Sequence, residues 1–207
     1  MELILWRHAE AEDGVPDGER ALTKKGRKQA ATLAAWLKPH LPRQARILAS
    51  PATRAQQTVA ALELPFVTTR EIGVGATVGE LLKAAGWPDT GGTVLVVGHQ
   101  PTLGRVAAAL LGGAEADWSV KKGAIWWFTR RVRDGGGQVV LRADPALFDL
   151  RLLNASAPDQ GQALSARGWC DRAGLLAAIN ASMYQEDLRT SVSLMRTPGH
   201  VNNPHLT

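Results

Sequence analysis

The chain predicts an α/β fold, a three-layer sandwich with helices on both faces of a mostly parallel sheet. Three observations carry this expectation. Short apolar runs at 2–6 (E-L-I-L-W), 46–49 (R-I-L-A) and 93–97 (T-V-L-V-V) read as buried strands. Each is followed, after a loop or turn, by a segment with helical apolar spacing. No hairpin signal joins the early strands, so they are expected to run parallel with both sheet faces covered.

The elements follow in order. After the first strand, Glu10 to Gly18 is acidic and carries Gly and Pro, which makes it a loop. Thr23 is placed to cap a helix running through Ala30, Leu33, Ala34 and Leu37, closed by Pro39 and Pro42. Ser50-Pro51 has the pattern of an N-cap with proline at the first helical position, opening a helix through Leu62. Thr77-Val-Gly-Glu80 has capping-box spacing before Leu81 and Leu82. Pro101-Thr102 leads into R-V-A-A-A-L-L, a helix closed by Gly112-Gly113. A strand pair is expected at 124–130 and 138–142, joined by a turn over Asp134-Gly-Gly-Gly137.

The composition bounds the function classes. The 207 residues are 45% hydrophobic and 21% charged, an ordinary globular balance. No apolar run approaches the roughly 20 residues of a membrane span. A signal-peptide pattern is missing and Cys170 is the only cysteine, so the expected location is cytoplasmic, with no membrane partner. The net charge of +5 resides in the first 145 residues, since 146–207 carry five Arg, no Lys and five Asp or Glu. These cations are scattered rather than clustered, so nucleic acid is not the expected partner and a small anion suits them better.

Three short motifs each lie just after a predicted strand: Arg7-His8, Ser50-Pro-Ala-Thr-Arg54 and Gly98-His99-Gln-Pro101. In open α/β sheets the loops at the carboxyl ends of strands converge on the ligand. Guanidinium groups bind phosphate bidentately and stay charged. Arg54, in the first turn of its helix, would add the anion preference of free helical N–H groups. A neutral imidazole is a competent nucleophile, and positive groups stabilise a transferring phosphoryl group. The set therefore points to phosphoryl transfer through a phosphohistidine. Singly, each motif has an ordinary explanation: a strand-end pair in solvent, a hydrogen-bonded loop histidine, an arginine paired with an acid. No metal-ligand spacing surrounds His8 or His99, and neither metal nor cofactor is expected.

Arg7-His8-Ala-Glu-Ala, Leu22-Thr-Lys-Lys-Gly26, Ser50-Pro-Ala-Thr-Arg54-Ala-Gln-Gln-Thr58 and Val97-Gly-His99-Gln-Pro101 together resemble the histidine phosphatase superfamily, and within it the SixA-type phosphohistidine phosphatases. The resemblance spans residues 1 to about 142 and implies a phosphoglycerate mutase-like fold. It implies His8 as the nucleophile that becomes phosphorylated, with Arg7, Arg54 and His99 holding the phosphoryl group. Thr23 and Gly26 match a helix-start signature and read as structural. The implied activity is metal-independent removal of phosphate from a histidine-phosphorylated protein. The alternatives are a phosphatase for small phosphomonoesters using the same residues and a non-catalytic phosphate-binding module.

The chain departs from the larger members of that superfamily in having Ala9 where they usually have glycine. The stretch between Thr58 and Thr93 is also short, leaving little room for an inserted region with a proton-donating acid. Of its acids Glu71 is the candidate, since Glu80 is explained by the capping box. An easily expelled leaving group such as imidazole relaxes the need for one. The expected division is a phosphatase domain over 1–145 and a C-terminal extension over 146–207. The extension weakly resembles the start of a phosphodiester glycosidase-like domain, and is read as an incomplete second domain.

Overall fold

A computed structural model describes residues 1–133 and 136–142, Arg172, and the residue pairs 196–197 and 200–201. The chain divides into two compact units, Met1–Asp144 and Pro145–Thr207. In the second, a two-stranded antiparallel ladder pairs β7 (Arg196–Thr197) with β8 (His200–Val201). The expected glycosidase-like character of 146–207 lies outside the described residues.

The first unit is built on a six-stranded sheet. Its strands are β1 (Glu2–Arg7), β2 (Arg46–Ala49), β3 (Val67–Thr68), β4 (Thr93–Gly98), β5 (Ile125–Arg133) and β6 (Gly136–Arg142), in the order β3-β2-β4-β1-β5-β6. β1, β2, β3 and β4 run parallel, and β5 and β6 add an antiparallel edge. Helices α1 (Lys24–Leu37), α2 (Thr53–Ala60), α3 (Val78–Ala85) and α4 (Thr102–Gly112) complete the mixed three-layer arrangement the sequence predicts.

Side chains alternate across a strand, and here both alternations are buried. Leu3 and Leu5 of β1, with Val94, Val96 and Phe128, meet Leu81 of α3 and Leu103 and Val106 of α4. Ile4 and Trp6, with Ile47, Leu95 and Val97, meet Ala34 and Leu37 of α1 and Val59 of α2. Each fully buried Leu, Ile or Val contributes about 1.5–3 kcal/mol relative to exposure. Two such faces explain why β1 and β4 read as unbroken apolar runs.

Capping follows the sequence at two helices. The Thr23 hydroxyl accepts the Gly26 N–H at the start of α1, and Thr77 and Glu80 form a reciprocal capping box at α3. Gly26 has a further reason to be glycine, because a Cβ there would overlap the Glu10 carbonyl oxygen.

The start of α2 differs from expectation. The helix opens at Thr53 with Ala52 as N-cap, not at Ser50-Pro51. The Ser50 hydroxyl instead accepts the Ala52 N–H at 3.2 Å, a local turn that competes with helix capping. The β5–β6 ladder also runs further than predicted: Gly136 pairs with Arg133 and Gly137 with Val132, so these glycines belong to the strand. The strand β3 has no counterpart in the sequence reading; its two exposed residues are too few to show an alternating pattern.

Candidate active site

Strand register brings the three motifs together. Arg7 lies opposite Gly98 in the parallel β1–β4 pair, and Ala49 lies opposite Val97 in the β2–β4 pair. The next residues continue these ladders, with His8 N–H donating to the Gly98 carbonyl at 3.1 Å and Ser50 N–H to the Val97 carbonyl at 3.0 Å. His8, Ser50 and His99 therefore emerge at one level of the sheet rim. The His8 and His99 ring centroids are 5.2 Å apart.

The backbone at His8 is held tightly. The Gly123 N–H donates to the carbonyls of Arg7 and His8, and the Trp6 indole N–H donates to the Gly123 carbonyl. Ala9 N–H donates to the Thr58 hydroxyl, which itself donates to the Arg54 carbonyl at 2.6 Å. Thr58 thus ties the residue after His8 to the helix that carries Arg54.

His8 is 8% exposed, and its two ring nitrogens have different neighbours. Nδ1 is 2.7 Å from the Ala9 carbonyl oxygen, which can only accept, so Nδ1 carries the proton. Nε2 then presents a lone pair, which accepts from Arg54 Nε–H at 3.3 Å. Burial, reinforced by the charges of Arg54, Arg7 and Lys122 and opposed by the Ala9 hydrogen bond, pushes the His8 pKa down to about 4. The imidazole is neutral at physiological pH with Nε2 unprotonated, the form a nucleophile needs.

His99 is 3% exposed and its pKa is pushed down to about 3, chiefly by burial and then by His8 and Arg54. Its Nε2 lies 2.7 Å from Ser50 Oγ. Arg54, 4% exposed, uses its other two nitrogens on the 3₁₀ turn Asp17–Glu19. Nη1 donates to the Asp17 carbonyl at 2.5 Å and Nη2 to the Asp17 carboxylate at 2.8 Å. Hydrogen bonds from Arg54 and then Arg20 hold the Asp17 carboxyl below its usual range. Arg7 Nη1 donates to the Val120 carbonyl at 2.7 Å, while Arg7 Nε and His99 Nδ1 are buried without a hydrogen-bond partner among the described residues. Buried polar atoms left open in a site rimmed by cations are suited to an anionic ligand.

The expected quartet is thus gathered at one rim. Glu71, exposed in the turn Arg70–Ile72, accepts a hydrogen bond from the Thr69 hydroxyl. That bond and neighbouring backbone N–H groups hold its carboxyl below the usual range, which suits a carboxylate rather than a proton donor. The sequence reading missed Asp17 and Ser50. Asp17 was one acid among several in a loop, and nothing local marks which of them returns to Arg54. Ser50-Pro51 has the pattern of a helix cap, although the position of Ser50 after a strand is a usable signal. Among the described residues no three His, Cys, Asp or Glu side chains gather as a metal site, and no helix is long and apolar enough to cross a membrane.

The family model of the histidine phosphatase superfamily (branch 1) matches residues 3–76. A phosphohistidine phosphatase SixA homolog of Haemophilus influenzae is 36% identical over 132 residues, covering 54% of this chain and 78% of that protein. The chain belongs to the histidine phosphatase superfamily. Phosphohistidine phosphatase SixA of Escherichia coli is 30% identical over 126 residues, covering 55% of this chain and 76% of that protein. A solved structure of the protein histidine phosphatase SixA complexed with tungstate superposes with a TM-score of 0.56 at 28% identity, covering 69% of this chain and 95% of that one. Within the superfamily the chain is of SixA type, with a phosphoglycerate mutase-like fold, and membership carries the superfamily's phosphatase chemistry.

Proposed function

We propose that this chain is a phosphohistidine phosphatase that takes the phosphoryl group from a histidine of another protein onto His8. The observation that carries the reading is the fixed state of His8, neutral, protonated on Nδ1 and bare on Nε2. Nε2 attacks phosphorus, the bond from phosphorus to the substrate imidazole breaks, and the departing imidazole takes up a proton from solvent. Water then attacks the phosphohistidine, the P–Nε2 bond breaks, and inorganic phosphate leaves.

Arg7, Arg54 and His99 hold the phosphoryl oxygens. The Asp17 carboxylate occupies Arg54 Nη2 and the Asp17 carbonyl occupies Nη1, so a phosphoryl group that binds this guanidinium displaces the carboxylate from Nη2. Tungstate, bound by the SixA neighbour, is a tetrahedral oxyanion of the same kind. Two features favour a protein substrate. Between Thr58 and Thr93 the chain holds only the end of α2, the two-residue strand β3, the turn at 70–72 and the short helix α3, too little chain for a large inserted cap. An imidazole leaving group also needs no strong acid, which agrees with the ionised state of Glu71.

Comparing kcat/KM on a histidine-phosphorylated protein with that on small phosphomonoesters tests the reading. Preference for the phosphoprotein, undiminished by EDTA, is expected. Preference for a small ester, or loss of activity on chelation with recovery on adding a divalent metal, contradicts it.

A further inference from the structure

Ser50 is fully buried, and its hydroxyl has two neighbours able to hydrogen-bond. The Ala52 N–H, 3.2 Å away, can only donate, so Oγ accepts there. The other neighbour is His99 Nε2 at 2.7 Å. A neutral imidazole has one nitrogen that donates and one that accepts, and the two tautomers fill this pocket differently. With the proton on Nδ1, the Ser50 O–H donates to Nε2, and only the Nδ1–H remains open. With the proton on Nε2, Oγ accepts twice, the Ser50 hydrogen has no other acceptor among the described residues, and a bare Nδ1 is buried as well. The first arrangement leaves one group open, the second leaves two. Unpaired buried polar groups are costly, so the first is favoured.

From this geometry we infer that Ser50 is a positioning residue: its hydroxyl fixes His99 as the Nδ1–H tautomer, which leaves a buried N–H donor for a phosphoryl oxygen. The inference rests on the proposed function for the identity of the ligand, but the tautomer itself does not. His99 Nδ1 has no partner among the described residues, and its ring lies 5.2 Å from that of His8 between centroids. In the other tautomer a lone pair would meet the lone pairs of a phosphoryl oxygen. Ser50 thereby links the end of β2 to the end of β4 and sets which way the second histidine presents its proton.

The test uses the full chain labelled with ¹⁵N-histidine and long-range ¹H–¹⁵N correlation, with the His99 signals identified by their loss in His99→Gln. The wild type is expected to show Nδ1 protonated and Nε2 bare. Ser50→Ala should mix the tautomers or move the proton to Nε2, lower kcat/KM on the phosphoprotein by about 10-fold or more, and weaken inhibition by inorganic phosphate. Ser50→Thr, which keeps the hydroxyl, should restore the Nδ1–H pattern and most of the rate. A wild-type His99 protonated on Nε2 overturns the inference, even if Ser50→Ala fails to fold. So does a Ser50→Ala variant with an unchanged spectrum and rate. An Nδ1–H signal in a chain that turns over no phosphohistidine would support the tautomer assignment while contradicting the proposed function.

Discussion

Arg54 joins Asp17 to His8 through one guanidinium: its Nη atoms hold Asp17 at 2.5 and 2.8 Å, while its Nε–H lies 3.3 Å from His8 Nε2. A phosphoryl group arriving at His8 has to compete with that carboxylate. Removing it by Asp17→Ala is therefore predicted to strengthen inhibition by inorganic phosphate. The Asp17 side chain is half exposed, so the gain should be small, about two- to five-fold in Ki. Phosphate inhibition weakened several-fold would instead mean that Asp17 serves to orient Arg54.

Arg54→Lys and Arg7→Lys keep a positive charge but lose the planar fork. Arg54 uses all three of its nitrogens and Arg7 reaches the Val120 carbonyl through Nη1, so lysine cannot reproduce either geometry. Each variant should lose about 10²-fold or more in kcat/KM, with little change in Tm. Near wild-type turnover in either would remove that arginine from the site.

The two histidines give a pH prediction for stability. Their pKa values fall from 6.5 to about 4 for His8 and about 3 for His99. A group depressed on folding binds its proton in the unfolded chain first, so stability rises with pH between the two values. Their contribution is complete above about pH 6.5 and is lost as the pH falls from there through 4 toward 3. Thermal melts across this range should show Tm falling with acid, and falling less steeply in His8→Ala. Identical slopes in the two proteins would mean that His8 is not held neutral by the fold.

Gly26→Ala tests the close approach of α1 to the chain after His8. The added Cβ meets backbone, the Glu10 carbonyl, rather than a flexible side chain. The helix must shift, and a loss of about 1–3 kcal/mol is expected in denaturant unfolding despite alanine's better helix propensity. A neutral or stabilising effect would contradict the contact.

Much of this architecture was legible because it depends on local patterns. β1 and β4 are apolar runs buried on both faces, Thr23 and the Thr77–Glu80 box cap their helices, and Gly113 closes α4 in a left-handed conformation. His8, Arg54 and His99 were readable because strand ends in such a sheet converge, whatever separates them in sequence. The parts that escaped depend on competition or distance. Ser50 had two uses for one hydroxyl, and only the partner 49 residues away decides between them. Asp17 reaches Arg54 across 37 residues from a loop with several similar acids. The exposed strand β3 has only two residues, too few for an alternating pattern.

The central claim is that His8 Nε2 accepts the phosphoryl group. Intact-mass analysis of the chain, quenched after brief exposure to a histidine-phosphorylated protein, tests it most directly. The wild type is predicted to gain one acid-labile phosphate that His8→Ala does not gain, with His8→Ala folded and inactive. A phosphate carried equally by both proteins, or turnover retained by His8→Ala, would contradict the account.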